Sequence, residues 1–302
     1  YLYHELVEYD VDDDGVIRPR AFTQIRTIPF LEGPMHYLRV LGPGDDARRQ
    51  YDAVRRSELY DRPLKMYKVC GDVDRLPPTF GGITACKRGL MERETVWLHM
   101  EYKYLLEVLR TRQYDAFFAD LRDVLIAWQP AARYGRSPLE NSSFLVSSVA
   151  DDADLHGRGF YARLSGACAE FWHIMLWMNL GPQPFMLDAA GTLCFRPQPA
   201  LPPWLFAADA GTARWLRDGD ARTTELPPQH YAFVLLNRTL VAYVNPTGRP
   251  TCGAGAAVMA RMELTDAAGE TAAVAPDGVT GDLAHAVRDG RYEVITVHFA
   301  EA

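Results

Sequence analysis

Apolar and polar positions change their rhythm near residue 190. Before that point long stretches repeat at helical spacing, separated by connections rich in Gly and Pro. Asp45 to Leu59 is charged and amphipathic. Glu92 to Arg110 sets Val96, His99, Lys103 and Leu106 at helical intervals, with Trp97, Tyr104 and Leu105 beside them. Tyr114 to Trp128 repeats the pattern, with Phe117, Leu121, Val124 and Trp128 on one side. Phe160 to Leu180 is apolar almost all round, which predicts the most buried helix of the chain. After Pro182 the apolar runs shorten and fit strands at Thr192–Arg196, Tyr231–Leu236, Leu240–Val244, Val258–Leu264 and Tyr292–Phe299. Asn245-Pro246-Thr247-Gly248 and Ala267-Ala268-Gly269 punctuate them as turns. Short strands with no long helix between them predict an antiparallel β-sandwich. The expected organisation is therefore helical over residues 1–190 and a β-sandwich domain over residues 191–302.

Composition adds exclusions. With 302 residues, 48% of them apolar and 24% charged, the chain can bury a sizeable core. A formal charge of −7 without any basic stripe argues against a nucleic-acid partner. The five cysteines are irregularly spaced and form no CxxC pair, so neither a zinc site nor a disulfide framework is expected. Reduced thiols point to the cytoplasm. The longest apolar stretch, Phe171 to Leu180, contains Trp172, His173 and Asn179 and is too short to span a bilayer, so no membrane partner is expected. The chain opens Tyr1-Leu2-Tyr3-His4, without Met or a signal pattern, as a processed chain or a piece of a longer polypeptide would.

Three places carry candidate chemistry. His99 sits on a predicted helix beside Trp97 and near Glu101, where a core histidine and a functional one look alike. Ser137-Pro138-Leu139-Glu140-Asn141-Ser142-Ser143 mixes an acid with amides and hydroxyls, a set that suits sugar hydroxyls and also ordinary turns. His156-Gly157-Arg158-Gly159-Phe160-Tyr161-Ala162-Arg163-Leu164-Ser165-Gly166 opens a long helix with glycines, two arginines and a serine. Amides at a helix start bind anions, and the arginines add charged donors. The acidic runs Asp12-Asp13-Asp14-Gly15 and Asp151-Asp152-Ala153-Asp154 lack the glutamate spacing of an EF-hand and fit solvated turns.

Gly89-Leu90-Met91-Glu92-Arg93-Glu94-Thr95-Val96-Trp97-Leu98-His99-Met100-Glu101-Tyr102-Lys103-Tyr104, Tyr134-Gly135-Arg136-Ser137-Pro138-Leu139-Glu140-Asn141-Ser142-Ser143-Phe144 and the His156–Gly166 segment follow one another in that order. Together they resemble the C-terminal third of the inverting disaccharide phosphorylases of glycoside hydrolase family 94, most closely the large 1,2-β-oligoglucan phosphorylases. The resemblance implies that residues 1–190 are the closing helices of an (α/α)6 barrel, ahead of the β-sandwich. It also implies a reaction in which inorganic phosphate, a substrate and not a cofactor, attacks the anomeric carbon of a β-glucan while a carboxylic acid protonates the leaving oxygen. The product is α-D-glucose 1-phosphate, and no metal or cofactor is expected. By position in the motifs, His99, Ser165 and Gly166 would hold phosphate, and Glu140, Lys87 and Arg88 would face the acceptor sugar. After Gly166 the chain reads Ala167-Cys168-Ala169-Glu170-Phe171, departing from the relatives' small-residue-then-Trp continuation. The general acid is expected upstream of Tyr1, and Asp72 and Asp74 are the only substitutes within the chain. The implied partners are a β-glucan oligosaccharide, phosphate, the rest of the same polypeptide and a second subunit in a homodimer. Two alternatives remain open in the sequence: the phosphorylase-like domain of a cyclic β-1,2-glucan synthase, and a non-catalytic sugar-binding module.

Overall fold

The computed structural model describes residues 2–76, 82–137, 139–162 and 166–301, which fall into two units, Tyr1–Ile174 and Met175–Ala302. The first unit opens with an antiparallel hairpin of β1 (Leu2–Val11) and β2 (Ile17–Arg26). The acidic run at its tip is a turn: Asp12 Oδ1 accepts the amides of Asp14 and Val16, and Oδ2 accepts Arg18 at 2.8 Å. Gly15 supplies the positive φ of 80° that this turn needs.

Two amphipathic helices follow, α1 (Glu32–Leu41) and α2 (Asp45–Arg56), then the two-residue strands β3 (Tyr60–Asp61) and β4 (Met66–Tyr67). Strand β5 (Val96–Trp97) runs directly into α3 (Leu98–Arg110), and α4 (Tyr114–Val124) and the single turn α5 (Ala131–Tyr134) follow. Strands β6 (Ser142–Leu145) and β7 (Gly159–Ala162) precede α6 (Gly166–Leu180), within which the two units divide.

Helix α3 is the centre of the first unit and packs on α1 and α4. It buries Leu98, Tyr102, Leu105, Leu106 and Leu109, each such side chain being worth about 1.5–3 kcal/mol. It also buries two carboxylates. Glu101 accepts the Tyr67 amide at 2.7 Å, and Glu107 accepts Arg39 at 2.7 Å and Arg110 at 2.9 Å. On α4, buried Asp120 accepts the hydroxyls of Tyr51 (3.0 Å) and Tyr67 (2.5 Å) and the Arg55 guanidinium (2.7 Å).

The second unit contains a three-stranded sheet in the order β16 (Val279–Thr280), β9 (Leu193–Phe195), β8 (Phe185–Leu187), and a hairpin of β10 (Gly211–Arg217) and β11 (Asp220–Leu226). Its main sheet has the order β12 (His230–Leu235), β13 (Thr239–Val244), β17 (Tyr292–Ala300), β14 (Val258–Asp266), β15 (Thr271–Val274). The short helix α7 (Asp282–Arg288) leads into β17. Tyr243, Met262, Ile295 and Val297 are buried in this sheet.

These observations correct the expected fold class. Residues 1–190 do not form part of an (α/α)6 barrel: among the described residues of the whole chain there are seven helices, interleaved with seventeen strands in small sheets. The hairpin of ten-residue strands occupies the stretch where a barrel would need paired helices. The main sheet of the second unit is mixed, not antiparallel throughout, because β13 and β17 pair in parallel. Helix α6 is also not the most buried helix, since Trp172 is 64% exposed and Leu176 49%. An all-apolar composition says that a helix has no polar side, not that something covers every side.

Candidate functional site

The site begins with a pairing pattern. Strand β6 lies between β5 and β7, with Trp97 opposite Phe144 and Phe144 opposite Phe160. Both neighbours run antiparallel to β6, so β5 and β7 run in the same direction and leave the sheet at the same edge. Each is followed by a helix, α3 after β5 and α6 after β7. Two helix starts distant in sequence thus come together, and a helix start carries unpaired backbone N–H groups and the positive end of the helix dipole.

His99 is the second residue of α3 and Gly166 the first of α6, and the two touch. A Cβ built on Gly166 would overlap Cε1, Nε2 and Cδ2 of the His99 imidazole. Glycine gives this close approach its room: its missing side chain is the space the imidazole occupies. Of the Ser165-Gly166 pair expected to hold phosphate, Gly166 is placed against His99, and Ser165 lies outside the described residues.

The surroundings of His99 set its charge. Trp97 stands edge-on to the ring at 6.2 Å between centroids, and 28% of the histidine side chain stays open to solvent. Burial pushes the imidazole pKa below its ordinary 6.5; Lys103 pushes the same way, while Glu170 and Glu32 oppose. Glu170, one turn into α6, sets Oε1 at 3.9 Å from His99 Nε2, and its Oε2 lies 3.1 Å from His173 Nδ1. Burial thus disfavours the charged imidazole, and the neighbouring Glu170 carboxylate works against that.

The residues expected on the acceptor side have partners of their own or lie at the surface. Arg88 donates to buried Glu94 at 2.6 Å and 3.1 Å, and Lys68 meets the same carboxylate at 3.1 Å. Glu140 pairs with Arg136 at 2.7 Å near the surface, and Lys87 is exposed ahead of a turn. Asp72 caps a short helical turn by accepting the Asp74 amide, and Asp74 pairs with Arg93. Arg158 donates to the Asp154 carbonyl at 2.9 Å, and Arg163 lies outside the described residues. Asp152 accepts the Asp154 amide, making the second acidic run a turn as well. Among the described residues no cluster of three or more His, Cys, Asp or Glu could hold a metal ion.

Glu170 is the member of the site that the motifs do not single out. Its only signal is negative: it stands where the resembling sequences continue differently. Neither protein-family models nor curated proteins give a match to this chain. Among the described residues no helix is long and apolar enough to cross a membrane.

Proposed function

We propose that this chain carries the phosphate-holding part of an inverting glycoside phosphorylase acting on β-linked glucan, with the β-1,2 linkage as the expected one. The observation that carries the proposal is the approach of Gly166 to the His99 imidazole at the shared edge of β5 and β7. The proposal rests on the motifs and on this contact, not on the fold, which hosts no helical barrel.

Phosphate held there would present one oxygen to the anomeric carbon. The new C–O bond forms on one face as the glycosidic C–O bond breaks on the other, and an acid gives its proton to the departing oxygen. Because phosphate is already a nucleophile, the general base of an inverting glycosidase has no counterpart. His99 donates to the anion and takes up a proton as it binds, offsetting charge next to the developing oxocarbenium ion. The resemblance puts the acid upstream of Tyr1 in the same polypeptide. On the irregular spacing of its five cysteines we place the protein in the cytoplasm.

The test is glucose 1-phosphate release from sophorooligosaccharides by the full polypeptide, followed against phosphate concentration. Losing a charge-assisted contact costs about 1.5–3 kcal/mol, so His99→Ala lowers kcat/KM for phosphate by about 10- to 100-fold without unfolding the chain. An unchanged phosphate dependence returns His99 to a packing role. No glucose 1-phosphate from the wild-type protein overturns the activity itself.

A further inference from the structure

The sheet that sets the helix starts also walls a cavity of about 130 Å³. Leu90, Met91, Thr95, Phe144, Val146 and Tyr161 line it, and no charged side chain does. The Thr95 hydroxyl is already committed, donating to the Leu145 carbonyl at 2.6 Å. A sugar ring placed here would lose the water partners of several hydroxyls and find little in return, whereas a flat uncharged ring has none to lose. In size the cavity compares with the space of about 150 Å³ that takes up benzene when lined by aliphatic and aromatic side chains.

Its rim is unusual. Met91 and Tyr161 are 38% and 55% exposed, and both hold their backbone at φ +56°, where side chains with a Cβ seldom sit. Strained backbone of this kind gathers where proteins grip ligands. The floor is aromatic and continuous with the candidate site: Phe144 stands 6.2 Å edge-on from Tyr161 and 5.7 Å from Trp97, which in turn meets the His99 ring.

We propose that this cavity is a binding site for one flat, uncharged, six-membered ring, held against Phe144 and entered between Met91 and Tyr161. The ring arrives as a free small aromatic or as the aglycone of a glycoside. The proposal stands on the cavity and does not require phosphorolysis, so it survives if glucose 1-phosphate is never formed.

The experiment titrates benzene into the full chain carrying ¹³C-labelled Met, Leu and Val methyls. Benzene shifts the Met91 and Val146 methyls saturably, and Val146→Phe, which fills the cavity, removes that response while the remaining methyl spectrum is kept. Should Val146→Phe fail to fold, Tyr161→Ala at the exposed rim weakens benzene binding by about fivefold. Phenyl β-D-glucoside binding more tightly than benzene assigns the aglycone, and equal or weaker binding assigns the free aromatic. Absence of a saturable shift at Met91 and Val146, its persistence in the folded variants, or an equal response to glucose overturns the site.

Discussion

Replacing Gly166 by Ala sets two free energies against each other. In the interior of an open helix the change stabilises by about 0.5–1 kcal/mol, because Ala loses less backbone freedom than Gly, and at the first helical residue that range is the upper bound. At this position the added methyl overlaps the His99 ring, and overpacking a filled space costs about 1–3 kcal/mol. The obstacle is the far end of a side chain that is 28% open to solvent, so it can swing aside and the lower half of that range applies. The net expectation is a loss of about 0.5–1 kcal/mol, with the imidazole displaced from its place. In a His99→Ala background the obstacle is gone, and the same methyl stabilises by up to about 0.5–1 kcal/mol. The two substitutions are therefore coupled by about 1–2 kcal/mol. Urea unfolding of the four proteins measures the cycle, and ¹H shifts of the remaining histidines report the ring's surroundings. A Gly166→Ala effect that is the same in both backgrounds, within the roughly 0.3 kcal/mol error of independent sites, would refute the contact on which the candidate site depends.

Two further substitutions probe the buried carboxylates. Glu101 is fully buried with Oε2 unpartnered, and burial pushes its pKa well above the ordinary 4.5. A folded pKa above the unfolded one gives stability that is complete below about pH 4.5 and is lost as pH rises toward the folded value. Glu101→Gln, which cannot ionise, should match the wild type near pH 4 and exceed it by a margin growing by up to about 1.4 kcal/mol per pH unit; thermal unfolding from pH 4 to 7 with a constant difference refutes this. Asp120→Asn removes the counter-charge of Arg55, whose side chain is 32% exposed, and should cost about 2–3 kcal/mol by urea unfolding, discounted from a wholly buried pair; a cost under about 1 kcal/mol would show that the tyrosine hydroxyls alone hold the cluster.

What the sequence makes legible follows from where burial leaves a one-sided pattern. Helices α2 and α4 and strands β9, β13, β14 and β17 each bury a face or a whole short run, β12 is mostly half-buried, and each lies where the spacing of apolar residues places it. The hairpin β1–β2 is hidden because most of its residues on both faces are exposed, so neither face is uniformly apolar. Two register shifts, between Leu6 and Glu8 and between Glu8 and Tyr9, further break its alternation. The parallel pairing of β13 with β17 is unreadable for another reason: a strand's pattern records that it is buried, not which neighbour it meets. At the site, the motifs place His99 and Gly166 on one shared ligand, and the sheet shows how closely the two approach. The pairing of Arg88 with buried Glu94 is likewise not announced by any local pattern.

Strand β6 has four residues, all of them buried, and it is the common neighbour of β5 and β7. It works as a gauge block: its register sets where β5 and β7 end relative to one another. Segments between α3 and β6 can lengthen or shorten without changing that offset. A slip of one residue against either neighbour would move a helix start by about 3.3 Å and turn Phe144 to the opposite face. Such a step exceeds the tolerance of any hydrogen bond to a shared anion. Drift in this protein's surface loops is thus mechanically isolated from the site, while substitutions at Ser142, Ser143 and Leu145 would be felt there at full amplitude without any contact to a ligand, and one at Phe144 would act on the cavity as well.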